Sequence, residues 1–361
     1  MEVSSLYKRM SPLCFLQNGS LVCYKSGDLY VFKNKQLIKK HNLFNTYKER
    51  YISKSKLLYR ALRLGVRSAI ALTDSRIIIS IGNMLYEYDL LNNCLSDGFS
   101  LKERIRPLIF TQVKGINGFE DMVIFGGYLG NPDKKPVHIY KRVDKDKWDA
   151  VYTFKQGEIN HIHNIIPDSY RNCLWVLTGD FDSSSAIWKI TDNFKNIEMV
   201  FYNDQKYRSC IAFALPEGLL YATDTPFDEN FVYLMDNDLA VKPICPLPGS
   251  CIYGCQWNDD FVFSSTVEAD GGNQTLLQLL FSKRRGKGIK DQYVHLYMGN
   301  LKKGFKEIYK EGKDYLPFSF QFGVFKFPAG LNLTTRLYFQ PVATSENDLD
   351  LMIMDNRSSG N

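Results

Sequence analysis

The segment YRSCIAF at 207–213 repeats the frame of VRSAIAL at 66–72, an x-Arg-Ser-x-Ile-Ala-x pattern followed each time by a turn and another apolar run. After the later copy come GLLYAT (218–223), NFVYLM (230–235) and AVKPI (240–244), so four short apolar runs succeed one another with Gly, Asn or Asp between them. Runs of this length bounded by turn residues read as strands. Working outward, the same cadence starts near Pro12, Gly65, Pro107, Asn160, Tyr207, Ser250 and Ser319. The group from Asn160 contains HIHNIIP, CLWVLTGD, SAIWKI and IEMVFY, and its second run aligns with MVIFGGY (122–128) and LLYATDT (219–225). Four-stranded units repeating every roughly 45 residues, none able to bury both faces alone, are the signature of blades stacked around an axis. The expectation is an all-β, seven-bladed β-propeller spanning 1–361 as one domain, with six blades plus an extra sheet as the alternative.

The last group supplies three clear strands, FSFQFGVFKF, RLYFQPV and LDLMIMD, which leaves Met1–Lys8 as its fourth. Joining both ends of the chain in one blade removes an open sheet edge. Two basic segments do not fit the cadence. Residues 43–64 (LFNTYKERYISKSKLLYRALRL) read as a solvated helix or long loop between blades, with a partner or membrane-surface contact as the other reading. Residues 267–292 form an insertion in the sixth group carrying Lys283, Arg284, Arg285, Lys287 and Lys290, either a functional lid or a tip. Protein partners, if the chain has them, are expected at these insertions.

Composition agrees with this class. Apolar residues make up 45% and charged residues 23% of 361, which excludes a disordered or fibrous chain. Aromatic residues reach 14%, and they favour pleated, half-buried surfaces. The net charge of +6 suits an anionic ligand without demanding nucleic acid, and none is expected. The opening MEVSSLYKRMSPLCFLQNGS lacks the apolar run of a secretory signal, and no stretch is apolar enough to span a bilayer, so the expectation is a cytoplasmic protein. Cys14, Cys23, Cys173, Cys210, Cys251 and Cys255 lie in apolar runs and read as small buried hydrophobes, with no paired zinc spacing.

In such a ring the innermost strands line an axial funnel, so residues at their starts become neighbours. Those positions hold Arg67, Arg106, His161, His163, Tyr207, Arg208, Tyr253 and Gln321, a polar and mostly cationic set. Arginine forks suit carboxylates, and His and Tyr can move protons. Alternation places His161, His163 and Ile165 on one strand face. The histidines then read as structural, as a base or substrate contact, or as a metal pair needing a third ligand such as Asp180 or His138. No cofactor is required, and a divalent metal is the one that would fit. Asp224 and Glu229, in ATDTPFDEN, read as turn residues or as acids beside the funnel.

Asp-boxes, WD dipeptides, phosphate loops and GxSxG elbows are absent. Through HIHNIIP, TGD and YRSCIAF the chain loosely resembles β-propeller carbohydrate-active proteins, namely sialidase-like hydrolases and propeller-type polysaccharide lyases such as ulvan lyases. The lyase resemblance implies action on an acidic glycan by β-elimination at a uronate. Arg208 would neutralise the carboxylate, His163 would act as base and Tyr207 or Tyr253 as acid. Arg67, Arg106, His161, Asp180, Asp224 and Gln321 would bind substrate. A sialidase-like hydrolase, using Arg67, Arg106 and Arg208, is one alternative, and a non-catalytic propeller binding a glycan or protein is the other.

Overall fold

The second strand of blade 4, Cys173–Gly179, is buried along its whole length, and its side chains go to two different places. Cys173, Trp175 and Leu177 pack against Leu219 and Tyr221 of the following blade. Leu174 and Val176 pack against Ile124 and Ile139 of the preceding one. The two-residue period of a strand thus sends alternate side chains into the two flanking interfaces. The same division holds in blade 5, where Leu219 and Tyr221 face blade 4 while Leu220 and Ala222 face blade 6. This explains why the second strands read as unbroken apolar runs.

The structure, a computed structural model, describes residues 2–44, 46–102, 105–270 and 281–355. They form seven antiparallel sheets in a ring, a seven-bladed β-propeller. The first strands are Ser11–Phe15, Ser68–Ala71, Arg106–Val113, His161–Asp168, Ser209–Leu215, Cys251–Trp257 and Val324–Lys326 for blades 1 to 7. Blade 7 continues with Arg336–Val342 and Leu351–Asp355, and Glu2–Tyr7 completes it by pairing antiparallel with Leu351–Asp355. The N-terminal strand therefore closes the ring, and the six-bladed alternative is set aside. A separate apolar cluster fills each of the seven interfaces, including the closing one, where Phe15 and Cys23 of blade 1 meet Tyr338 and Ile353.

Five of the first strands carry a register shift near their start, at Pro12/Cys14, Pro107/Phe110, Ile162/Asn164, Ser209/Ile211 and Cys251/Tyr253. Such bulges sharpen twist and re-aim side chains. In blade 4 the shift corrects the simple alternation expected there, because Ile162 and Ile165 enter the same interface while His161 and His163 turn to the axis.

Of the two forms expected for segment 43–64, helix or long loop, the structure takes the helical one. The segment folds into two short helices, α1 (Tyr47–Arg50) and α2 (Lys56–Ala61), with Thr46 and Ser55 as N-caps. The buried Arg60 fastens it: its Nε donates to the Phe320 carbonyl at 3.1 Å and its guanidinium pairs with Asp314 and Asp348. Glu49 accepts from the Tyr24 hydroxyl. Of the second insertion, 271–280 lie outside the described residues; its flanks bridge Val267 to Gly323 and Ala269 to Arg285. Among the described residues no helix is long and apolar enough to cross a membrane.

Deleting Glu2–Tyr7 bares the edge of the blade 7 strand and the packing of Val3 and Leu6. We expect a loss of about 3 kcal/mol of stability and concentration-dependent association, read by urea unfolding and by size-exclusion chromatography.

Candidate functional site

His161 and His163 are both buried where blade 4 begins, and each ring has one nitrogen committed to a main-chain carbonyl. His161 Nδ1 lies 2.9 Å from the Leu129 carbonyl and His163 Nδ1 lies 3.0 Å from the Ser209 carbonyl. A carbonyl oxygen only accepts, so both Nδ1 atoms carry hydrogens and a neutral ring is left with a lone pair on Nε2. The two Nε2 atoms stand 3.0 Å apart, and each is 3.3 Å from one oxygen of Asp180. Two lone pairs and a carboxylate thus converge on one point. A shared proton serves one of these contacts; a divalent cation serves all three. Donor atoms spaced in this way fit around an ion at bond lengths of roughly 2.1 Å, and carbonyl-fixed imidazoles are the usual outer arrangement of metal-binding histidines. Asp180, a third exposed, leaves one side of the cluster open.

Burial raises the Asp180 carboxyl, but when no ion is bound any proton that His161 or His163 donates from Nε2, the positive charge it brings to His161 and the charge of Arg208 outweigh burial and hold the group well below the usual carboxylate range. Arg208 is itself buried. Its Nη1 donates to the Asp180 carbonyl at 2.7 Å, Nη2 lies 3.2 Å from Asp180 Oδ1, and Nε lies 3.8 Å from Asp224 Oδ2. The Cys210 thiol donates to the same Asp224 oxygen at 3.1 Å. His163, Cys210 and Asp224 form a second group of converging donor atoms sharing His163 with the first. Beyond it the buried Glu268 accepts from Ser250 Oγ. Burial, then repulsion from Asp224, pushes the Glu268 carboxyl up to about 8.

A cationic wall accompanies this acidic side. Arg67, Arg106 and Lys326 start or end first strands, and Arg63 follows α2. The Arg106 guanidinium lies 5.5 Å from the centre of the Tyr128 ring, and Lys326 Nζ lies 5.7 Å from that of Tyr253. Tyr128 in turn packs on His161, with ring centres 4.4 Å apart, which joins the two sides. Burial raises the Tyr253 hydroxyl to about 12 even though Arg63 and Arg106 oppose it.

Most residues expected at the axis are thus neighbours: His161, His163, Asp180, Arg208 and Asp224 on one side, Arg67, Arg106 and Tyr253 on the other. Two placements differ. Tyr207 closes a short 3-10 turn (Gln205–Tyr207) and stacks on Phe201 at 4.7 Å between blades 4 and 5, away from the histidines. His138 sits on the third strand of blade 3 and pairs with Thr153, so among the described residues Asp180 is the group that joins both histidines. Gln321 stands at the approach to blade 7 with its amide oxygen buried and without a hydrogen-bond partner. Glu229 is exposed and pairs with Lys290.

Tyr128, Cys210, Glu268, Arg63 and Lys326 were missed by the sequence reading. One signal was present: Tyr128 ends its second strand, and Asp180 and Asp224 directly follow theirs, in GGY, TGD and ATD. Arg63 and Lys326 carry no such mark.

No protein-family model matches the chain, and no curated protein does. Solved structures share its fold. An oligogalacturonate lyase in complex with manganese is 12% identical, with a TM-score of 0.59 over 99% of this chain and 93% of the other. A chain from the mitotic checkpoint complex is 8% identical, with a TM-score of 0.57 over 98% and 93%. The CNH domain of AfRom2 is 8% identical, with a TM-score of 0.56 over 98% and 99%. At such identities the likeness extends to the propeller fold.

Because Glu268 holds its proton more tightly in the folded chain, unfolding releases it, and stability falls as pH rises from about 4.5 to about 8. Glu268→Gln removes that loss. Urea midpoints should therefore favour the variant increasingly across this window; parallel curves would place the proton elsewhere.

Proposed function

We propose that the axial funnel binds an acidic carbohydrate through a divalent cation held by His161, His163 and Asp180, with Arg67 and Arg106 as further contacts to the ligand's negative charge. The observation that carries this reading is the convergence of both Nε2 lone pairs on the Asp180 carboxylate. A bound divalent cation supplies Lewis acidity and a positive charge for an oxyanion. Among proteins sharing the fold is an oligogalacturonate lyase in complex with manganese, whose name and metal fit this reading.

Arg208 contributes by positioning. With Asp180 and Asp224 already matched to its charge, it orients the Asp180 carboxylate rather than meeting the ligand. The role of carboxylate neutraliser passes to the cation and to Arg67 and Arg106.

Elimination at a uronate is the second reading, favoured by Tyr253, whose hydroxyl stays protonated at neutral pH beside several cations. The step removes a proton from the carbon bearing the carboxylate, forms a carbon–carbon double bond and breaks the C–O bond at the β position. Tyr253 gives its proton to the departing oxygen. His163 can accept the carbon's proton only when its Nε2 is not engaged on a cation, so its two roles exclude each other.

Titration with Mn2+ or Zn2+ should raise the unfolding temperature of the wild type, with His161→Ala and His163→Ala each weakening binding by about 100-fold. Equal binding by the variants would remove these residues from the site. On a panel of uronate oligosaccharides, absorbance of unsaturated product that requires added metal assigns His163 as ligand. Product that metal suppresses assigns it as base, and no product leaves binding alone.

A further inference from the structure

Arg63, Arg67, Arg106 and Lys326 reach one wall of the funnel from three separate stretches of the sequence, and among the described residues none of them has an ion pair or a side-chain hydrogen bond. Arg67 Nε is buried with no partner. Packing brings them together: the first strands of blades 2 and 3 stand side by side, and Tyr59 of α2, Tyr253 and Val324 share one apolar cluster; in keeping with this, burial and then mutual repulsion lower Arg67 and Lys326. Arg208, a short way around the axis, is the contrast, since two carboxylates match it. Partly buried like charges without a counter-ion oppose folding, and the chain retains three of them, Arg67, Arg106 and Lys326, with the exposed Arg63 beside them.

Arg63 adds a second oddity. It follows α2 in the left-handed region, at φ 49°, where its N–H bonds to the Arg60 carbonyl and that of Leu64 to the Tyr59 carbonyl. Glycine is the residue that this helix ending ordinarily takes, and a side chain there costs about 1 kcal/mol. The arginine is thereby delivered toward Lys326 and Tyr253.

We propose that Arg63, Arg67, Arg106 and Lys326 form a binding site for a multiply charged oxyanion, a phosphate or sulfate group. A single carboxylate brings one negative charge to four cations, whereas a tetrahedral dianion offers more charge and enough oxygens for several arginine forks. The aromatic faces of Tyr128 and Tyr253 hold Arg106 and Lys326 in place. The site needs no metal, and it rests on the acidic-carbohydrate reading only for the carrier of the group.

The test measures thermal unfolding and calorimetric binding of the full chain with sodium phosphate, sodium sulfate and sodium chloride at matched ionic strength. Phosphate and sulfate should raise the wild-type unfolding temperature beyond chloride. Lys326→Met and Arg67→Gln should each weaken phosphate binding roughly tenfold or more. In anion-poor buffer both variants should unfold at or above the wild-type temperature, because a repulsion has been removed. The phosphate response should persist in a metal chelator such as EDTA, which separates this site from the cation reading. A sugar phosphate or sulfated disaccharide that binds more tightly than inorganic phosphate makes the group part of a larger ligand; equal affinities make the anion itself the ligand. A wild type that responds to phosphate no more than to chloride overturns the proposal, as does a Lys326→Met protein that binds phosphate normally or is less stable in anion-poor buffer.

Discussion

Each blade has two apolar faces and can bury them only between two neighbours, so the ring must close for any blade to be stable. Trp175 and Leu174, adjacent in sequence, serve opposite interfaces, and every second strand divides its side chains in this way. Closure falls to Glu2–Tyr7 lying beside Leu351–Asp355, which brings residues more than 340 positions apart into one sheet. Once the ring is closed, the first strands stand side by side at the axis, and whatever their leading residues carry is forced together.

What they carry is charge of both signs, kept apart. Blades 4, 5 and 6 contribute Asp180, Asp224 and Glu268 around Arg208 and the histidines. Blades 2, 3 and 7 and the end of α2 contribute cations. On the acidic side protein groups answer one another: Arg208 spans two carboxylates, Cys210 donates to Asp224, and Glu268 keeps its proton. On the cationic side nothing among the described residues answers the charge. Repulsion left in place along this wall is a cost that a bound anion can offset.

The histidine pair depends on the bulge at Ile162/Asn164. A regular strand would place Ile165 with the histidines; the extra residue instead puts Ile162 and Ile165 in the blade 3–4 interface. Similar shifts at the starts of blades 1, 3, 5 and 6 show that re-aiming at the axis belongs to the repeat. Gly126, across from this point, leaves room for Ile162, with which an added Cβ would collide.

The repeat of x-Arg-Ser-x-Ile-Ala-x and the cadence of apolar runs determined the four-stranded blade and offered the closing strand, because strand periodicity and turn residues are local properties written residue by residue, while the choice of seven blades over six came with the sheet pairing. They also marked Arg67, Arg106, His161, His163 and Arg208 as axial, since position within a repeat is itself local. Tyr207 was misplaced because a single turn of 3-10 helix before Ser209 rotates it into the interface. Arg63 and Lys326 were illegible because they belong to an irregular helix ending and to a three-residue strand, neither of which repeats. Which charges find partners is decided by distances between blades, and those exist only when the ring is closed.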